Sequence, residues 1–167
     1  MGIGTLLSVE EYLNTSYDPD VEYLDGVLVE RIVGDEDHSN VQSNIIFWLR
    51  SKYKNIKVYP EFRSRLTPTR FRLPDVCVSL TKPSSKRALL EPAFLAIEIL
   101  SEDDRMTRVI EQLEEFEANG TPHIWVFDPR RKKMFRFHGH ALEEVEGDVI
   151  ATDDPWLELT REEIFQD

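Results

Sequence analysis

Two carboxylates stand where chains rarely put them. Glu98 lies inside Phe94-Leu95-Ala96-Ile97-Glu98-Ile99-Leu100, where every other residue is apolar. Such a short unbroken run reads as a strand buried on both faces. An ionised carboxylate there costs several kcal/mol unless it is paired, hydrogen-bonded or on a metal. One ordinary solution is an arginine partner where the strand leaves the core. Asp75 opens a second apolar run, Asp75-Val76-Cys77-Val78-Ser79-Leu80, directly behind Pro74. Proline fixes the chain's entry angle and donates no ladder hydrogen bond, although Pro-Asp alone is also a common turn dipeptide. A polar loop, Lys82 to Glu91, separates the two runs. If the strands pair, the two acids sit side by side on one face, with Cβ atoms roughly 5 Å apart. Carboxylates that close do not both stay ionised without a cation between them. Mg2+ or Mn2+ suits the place, being a hard cation that takes oxygen ligands and keeps several waters. Its chemistry is phosphate-ester hydrolysis, with a polarised phosphoryl oxygen and an activated water.

The elements that must position these acids are legible in outline. Ser8-Val9-Glu10-Glu11 has capping-box form and opens a short helix through Leu13. Tyr17-Asp18-Pro19-Asp20 is a turn, and Asp25-Gly26 between Val21–Leu24 and Val27–Val33 predicts a hairpin. A helix is expected from about His38 to Tyr53, with Val41, Ile45, Ile46, Trp48 and Leu49 at helical spacing. Strands are expected near Lys57–Tyr59, Glu61–Leu66, Asp75–Leu80 and Phe94–Leu100. Ser101 and Asp104 suggest the next helix start. Its core stripe is Met106, Val109, Ile110, Leu113 and Phe116, and Gly120 with Pro122 stops it. Strands at His123–Phe127 and Lys133–Phe137 follow, then two weaker ones. Thr160-Arg161-Glu162-Glu163 caps a last short helix. The order predicts an α/β fold: a mixed β-sheet flanked by helices, with an N-terminal hairpin and a C-terminal hairpin region.

The 167 residues carry no repeat and no Gly/Ser-rich linker, which predicts one domain over 1–167. Hydrophobic residues are 41% and charged residues 31%, an ordinary soluble globular balance. With 32 acidic against 20 basic side chains the net charge is −12. That argues against a histone-like or scanning nucleic-acid binder, whose affinity comes from Lys and Arg neutralising phosphates. Local basic patches remain possible. Arg63, Arg65, Arg70 and Arg72 run up to Pro74-Asp75, and Lys82, Lys86 and Arg87 follow that strand. They read either as the phosphate-binding rim of a cleft or as scattered solvated charges. Arg130-Arg131-Lys132-Lys133 reads as an exposed turn. The single cysteine, Cys77, excludes an intramolecular disulfide and a multi-cysteine zinc site. His138-Gly139-His140 could set two imidazoles on one face, but no third ligand is evident. Trp48, Trp125 and Trp156 read as packing residues. No phosphate-binding glycine loop or nucleophile elbow occurs, and a retaining glycosidase, which also uses paired carboxylates, is a distant option. The start, Met1 to Leu7, has no basic n-region, and no stretch approaches the ~20 apolar residues of a membrane span. The expected location is the cytoplasm.

Pro74-Asp75 followed by Phe94 to Ser101 resembles the active-site half of the PD-(D/E)xK nuclease superfamily. More narrowly, the chain is similar to the Uma-type putative restriction endonuclease family of bacteria. The further marks are Glu22-Tyr23-Leu24-Asp25-Gly26, His38, Arg72-Leu73-Pro74-Asp75-Val76 and the segment from Gly120 to Pro129. The resemblance spans roughly Ser8 to Phe137. It implies a restriction-endonuclease-like core, a divalent metal (Mg2+ or Mn2+), DNA as the partner and frequently a homodimer. It also implies Asp75 and Glu98 as metal ligands, with the backbone carbonyl of Ile99 as a third. Glu30, expected to share a strand face with Leu28 and Ile32, is a candidate additional carboxylate. His38 is a candidate hydrogen-bond partner for a phosphate or a water, or else a polar helix cap.

One departure matters. The superfamily pattern wants lysine two residues after the glutamate, where this chain has Leu100. In the Uma-type family the lysine sits on the following helix, in a Glu-Lys-Leu segment. Here that segment reads Glu111-Gln112-Leu113. Gln112 can orient a water but carries no charge, a loss of about 2.7–4 kcal/mol of transition-state stabilisation by analogy with an oxyanion donor. Arg105 and Arg108 share that helix flank; an arginine there serves as a clamp rather than a base. Two functions follow as expectations. One is a metal-dependent endonuclease acting on DNA phosphodiesters, weakened at Gln112. The other is a catalytically silent interaction module that keeps the fold.

Overall fold

The computed structural model describes residues 6–167; Met1 to Thr5, which carry most of the reading of the amino terminus, lie outside them. Ser8 caps α1 (Val9–Asn14) reciprocally: its hydroxyl accepts from the Glu11 N–H, and the Glu11 carboxylate accepts from the Ser8 N–H. The Asp25-Gly26 turn joins β1 (Glu22–Leu24) to β2 (Val27–Val29). Both turn residues have positive φ, 52° and 93°, the combination tight hairpins favour. Then come α2 (Glu36–Lys52), β3 (Lys57–Pro60), β4 (Ser64–Thr67) and β5 (Arg70–Arg72). β1, β2, β4 and β5 form a four-stranded antiparallel sheet in the order β2-β1-β5-β4.

The larger sheet adds β6 (Val76–Ser79), β7 (Leu95–Ile99), β8 (His123–Asp128), β9 (Lys133–His138) and β10 (Ala141–Glu144) to β3. Its order is β10-β9-β8-β7-β6-β3. β7 and β8 run parallel, and the other pairs are antiparallel. A parallel pair needs a crossover, and α3 (Met106–Ala118) supplies it. β11 (Val149–Ala151) and β12 (Glu158–Thr160) form a small hairpin, and α4 (Arg161–Phe165) packs with it against α2.

The two-residue period of β7 divides the core. Leu95, Ile97 and Ile99 pack with Val41, Ile45 and Leu49 of α2, while Ala96 packs with Val109, Leu113 and Phe116 of α3. Glu98 falls on the Ala96 side, so the strand that buries apolar groups against both helices also aims a carboxylate toward α3.

Some boundaries differ from the sequence reading. α2 begins at Glu36 rather than His38, because the Asp35 side chain caps it, accepting the His38 N–H at 3.0 Å. The run from Glu61 to Leu66 breaks: Glu61 has φ 46° and β4 starts only at Ser64. Ser101 and Asp104 form a turn ahead of α3, with the Asp104 carboxylate accepting the Ser101 N–H at 2.6 Å. Met106 sits in the first turn and is exposed, so it leaves the core stripe to Val109, Leu113 and Phe116. Three strands follow β9, not two. Trp125 is buried and Trp48 packs on the core, whereas Trp156 is exposed with its Nε1 donating to Glu158. Among the described residues no helix is long and apolar enough to cross a membrane.

Candidate active site

β6 and β7 pair with Val76 against Ile97, Cys77 against Ala96 and Val78 against Leu95. One step further, the same antiparallel register sets Asp75 against Glu98. Both line a small cleft of about 60 Å³ together with Glu22, Arg31, His38, Ile99, Asp104, Arg108 and Gln112. Asp75 is buried. Its Oδ2 accepts the Ile99 N–H at 2.7 Å, and its Oδ1 accepts Arg31 Nη2 at 2.7 Å. His38 Nε2 stands 3.1 Å from the same Oδ1. The Asp75 carbonyl accepts Gln42 Nε2 at 2.8 Å, so α2 holds the backbone as well as the side chain. Glu98 is half-buried, and its Oε1 accepts Gln112 Nε2 at 2.7 Å. Gly34 lets the chain pass close to His38: a Cβ there would lie 2.5 Å from Nδ1.

The two acids sit in opposite electrostatic settings. Burial alone would raise the Asp75 carboxyl. The His38 hydrogen bond and charge, the Arg31 guanidinium and the Ile99 N–H outweigh it and lower Asp75 below the usual range. Glu98 is raised well above that range by burial and then by the negative charge of Asp75, which Arg31 offsets only in part. The pair therefore carries one negative charge far more readily than two. Burial works against a charged His38, yet its hydrogen bond to Asp75 and that residue's charge raise it above the ordinary imidazole value. Burial also raises Asp104.

The structure brings Asp75, Glu98, Ile99, Gln112 and His38 to one cleft and leaves Glu30 out. β2 ends at Val29, so the expected face shared with Leu28 and Ile32 does not extend to Glu30, whose side chain is exposed. Its backbone carbonyl instead accepts Arg108 Nη2 at 3.1 Å. Arg108 lines the cleft, but Arg105 is exposed at the start of α3 and does not. The expected arginine rim is largely internal. Arg63 is buried over the Tyr12 ring and paired with Asp20; Arg70 pairs with Asp25 and Glu115; Arg72 is buried against Glu22 and Glu115. Arg65 is exposed and donates to the Leu90 carbonyl. Lys82, Lys86 and Arg87 are exposed on the loop between β6 and β7. His138 and His140 flank an exposed turn at Gly139, and no three His, Cys, Asp or Glu among the described residues stand in metal-ligating geometry. Cys77 is buried, and burial pushes its thiol up to about 12.

Sequence reasoning gave no role to Arg31 and Glu22. Glu22 is buried, accepting the Leu73 N–H at 3.1 Å and Arg72 Nη1 at 2.9 Å. Glu30 and Arg31 are the charged residues of Val27–Val33 and neighbours in an extended chain face opposite ways, but that spacing does not say which of the two faces the cleft; in the structure it is the arginine.

The model for the Uma2 family, described as putative restriction endonuclease, matches residues 9–162. Among curated proteins no match is found. A solved structure, a putative nuclease belonging to DUF820 from Anabaena variabilis ATCC 29413, superposes with a TM-score of 0.76 at 20% identity, covering 95% of this chain and 97% of that one. That likeness concerns the fold, which is restriction-endonuclease-like. With 154 of 167 residues inside the family match, the chain belongs to the Uma2 putative restriction endonuclease family.

Proposed function

We propose that the protein is a Mg2+- or Mn2+-dependent endonuclease hydrolysing DNA phosphodiester bonds. The observation that carries this reading is the Asp75–Glu98 pair, set in opposing register in one acidic cleft, beside a family match to restriction endonucleases. The donor set suits a hard cation. Two carboxylate oxygens offer about four lone-pair directions. Asp75 uses three, on Arg31, His38 and the Ile99 N–H, and Glu98 uses one, on Gln112. The remainder, with the Ile99 carbonyl, match an ion that takes few protein ligands and keeps its waters. When bound, such an ion supplies Lewis-acid polarisation of the phosphoryl oxygen and favours ionisation of water.

The chain's own groups have distinct tasks in this reading. His38 and the Ile99 N–H fix the Asp75 carboxylate. The Gln112 amide fixes Glu98 and can orient a water through its remaining donor. Arg108, at the cleft wall, clamps a phosphate oxygen without taking a proton. The reading includes a homodimer, which would present one site to each strand, and a cytoplasmic location.

Plasmid nicking in Mn2+ tests the proposal. Wild-type protein should nick, and Glu98→Ala and Asp75→Ala should each abolish cleavage while remaining folded. Calorimetric titration with Mn2+ should show weaker binding for Asp75→Ala; equal affinity in both proteins would remove the site. The second reading, a silent module, is favoured by Gln112 at the lysine position. Cleavage lost in Glu98→Ala would rule it out.

A further inference from the structure

We propose that Arg31 holds the cation place beside the Asp75–Glu98 pair, and that a divalent ion binds there by displacing its guanidinium toward Glu61. This rests on the nuclease reading above. Arg31 lies two residues beyond β2, with its side chain only 20% exposed. Nη2 sits 2.7 Å from Asp75 Oδ1, and Nη1 sits 3.5 Å from Glu61 Oε1. The guanidinium thus already reaches two carboxylates. One is the buried acid of the cleft. The other is half-exposed, and among the described residues no other cation pairs with it. Arg31 also lines an adjoining cleft with Glu61, Ser39 and Gln42, so the space into which it would swing is open.

Charge bookkeeping supports an exchange. One guanidinium balances one of the two opposed carboxylates, whereas a divalent ion balances both. Arg31 also occupies a lone pair of Asp75 that a metal would use. The apparent metal affinity is then the intrinsic one reduced by the fraction of molecules in which Arg31 has left Asp75.

The experiment is Mn2+ binding to the full chain by calorimetry and by electron paramagnetic resonance of free Mn2+. The proteins are wild type, Arg31→Gln, Glu61→Gln, the double variant, and Arg108→Gln. Arg108→Gln removes the same charge from the same cleft without a contact to Asp75. Arg31→Gln should bind about tenfold tighter or more, clearly beyond Arg108→Gln. Glu61→Gln should weaken binding in the wild-type background and have no effect in Arg31→Gln, because only the guanidinium senses it. If Arg31→Gln binds no tighter than Arg108→Gln, or Glu61→Gln acts equally in both backgrounds, the exchange is wrong while the nuclease reading stands. If no protein in the set binds Mn2+, both fail. Thermal unfolding checks the fold of each variant. Should Arg31→Gln not fold, Arg31→Lys decides, since one ammonium cannot span both carboxylates as the fork does: tighter Mn2+ binding supports the exchange, and unchanged affinity overturns it.

Discussion

Glu98 and Gln112 share one hydrogen bond, and each limits what the other can do. Because burial and the Asp75 charge raise the folded value of Glu98, the folded state binds its proton more tightly than the unfolded chain. The stability this confers is present below the unfolded value of about 4.3 and is lost as pH rises through the folded value, at about 1.4 kcal/mol per unit of separation. In metal-free protein the Tm of wild type minus that of Glu98→Gln should therefore fall as pH rises above the unfolded value of about 4.3. A flat difference would mean that Glu98 does not feel Asp75. Gln112→Lys probes the same contact chemically. An ammonium in place of the amide donor at 2.7 Å would favour the ionised Glu98 and restore the missing charge. Nicking should rise by roughly 100-fold if that group matters as an oxyanion donor does; no gain would place the missing charge elsewhere. Asp75 and Glu98 were legible as neighbours because acids inside apolar runs are conspicuous and the strand pairing sets their register, whereas Gln112 was singled out only through the family resemblance. Arg31 was not legible, since local spacing says nothing about which of two neighbouring charges turns inward.

Arg72 joins three elements at once. From β5 it donates through Nη1 to Glu22 of β1 at 2.9 Å, and through Nε and Nη2 to Glu115 of α3 at 2.8 and 3.0 Å. Arg72 and Glu22 are each about 2% exposed. Truncating one partner leaves buried charge without compensation, so Arg72→Ala should cost about 3–5 kcal/mol in urea unfolding. Arg72→Lys should recover only part of this, because an ammonium cannot reproduce the fork on Glu115. A loss near zero would show that water relieves the acids. The same residue marks where the sequence misled. The basic residues before Pro74 were legible as a cluster, but a partner 43 positions away on another element was not. By contrast both capping boxes and the Asp25-Gly26 hairpin were readable, since every group they need lies within a few residues. Helix starts shifted at α2, where the Asp35 cap lay outside the apolar period, and at α3, where Ser101 and Asp104 form a turn ahead of the helix.

At the scale of the molecule, a net charge of −12 opposes the approach of any polyanion. With Arg63, Arg70 and Arg72 committed to internal pairs, the proposed binding of DNA would rely on the cations still exposed near the cleft. A groove supplies a route. The cleft holding Asp75 adjoins one that shares Arg31 and His38 with it, and that one shares Asp20 and Glu61 with a third lined by Lys86 and Arg87. If a strand lies along this route, Lys86 and Arg87 meet its phosphates at the far end from Asp75. Replacing both by Glu should weaken binding to duplex DNA, measured by fluorescence anisotropy in a series of salt concentrations. Two lost phosphate contacts should lower the slope of log K against log salt by about 1.8, uniformly across sequences. Stability should hardly move, because both side chains are exposed and Arg87 spends one surface hydrogen bond on the Leu13 carbonyl. An unchanged slope would put the nucleic acid on another face, and the groove would then have no part in holding it.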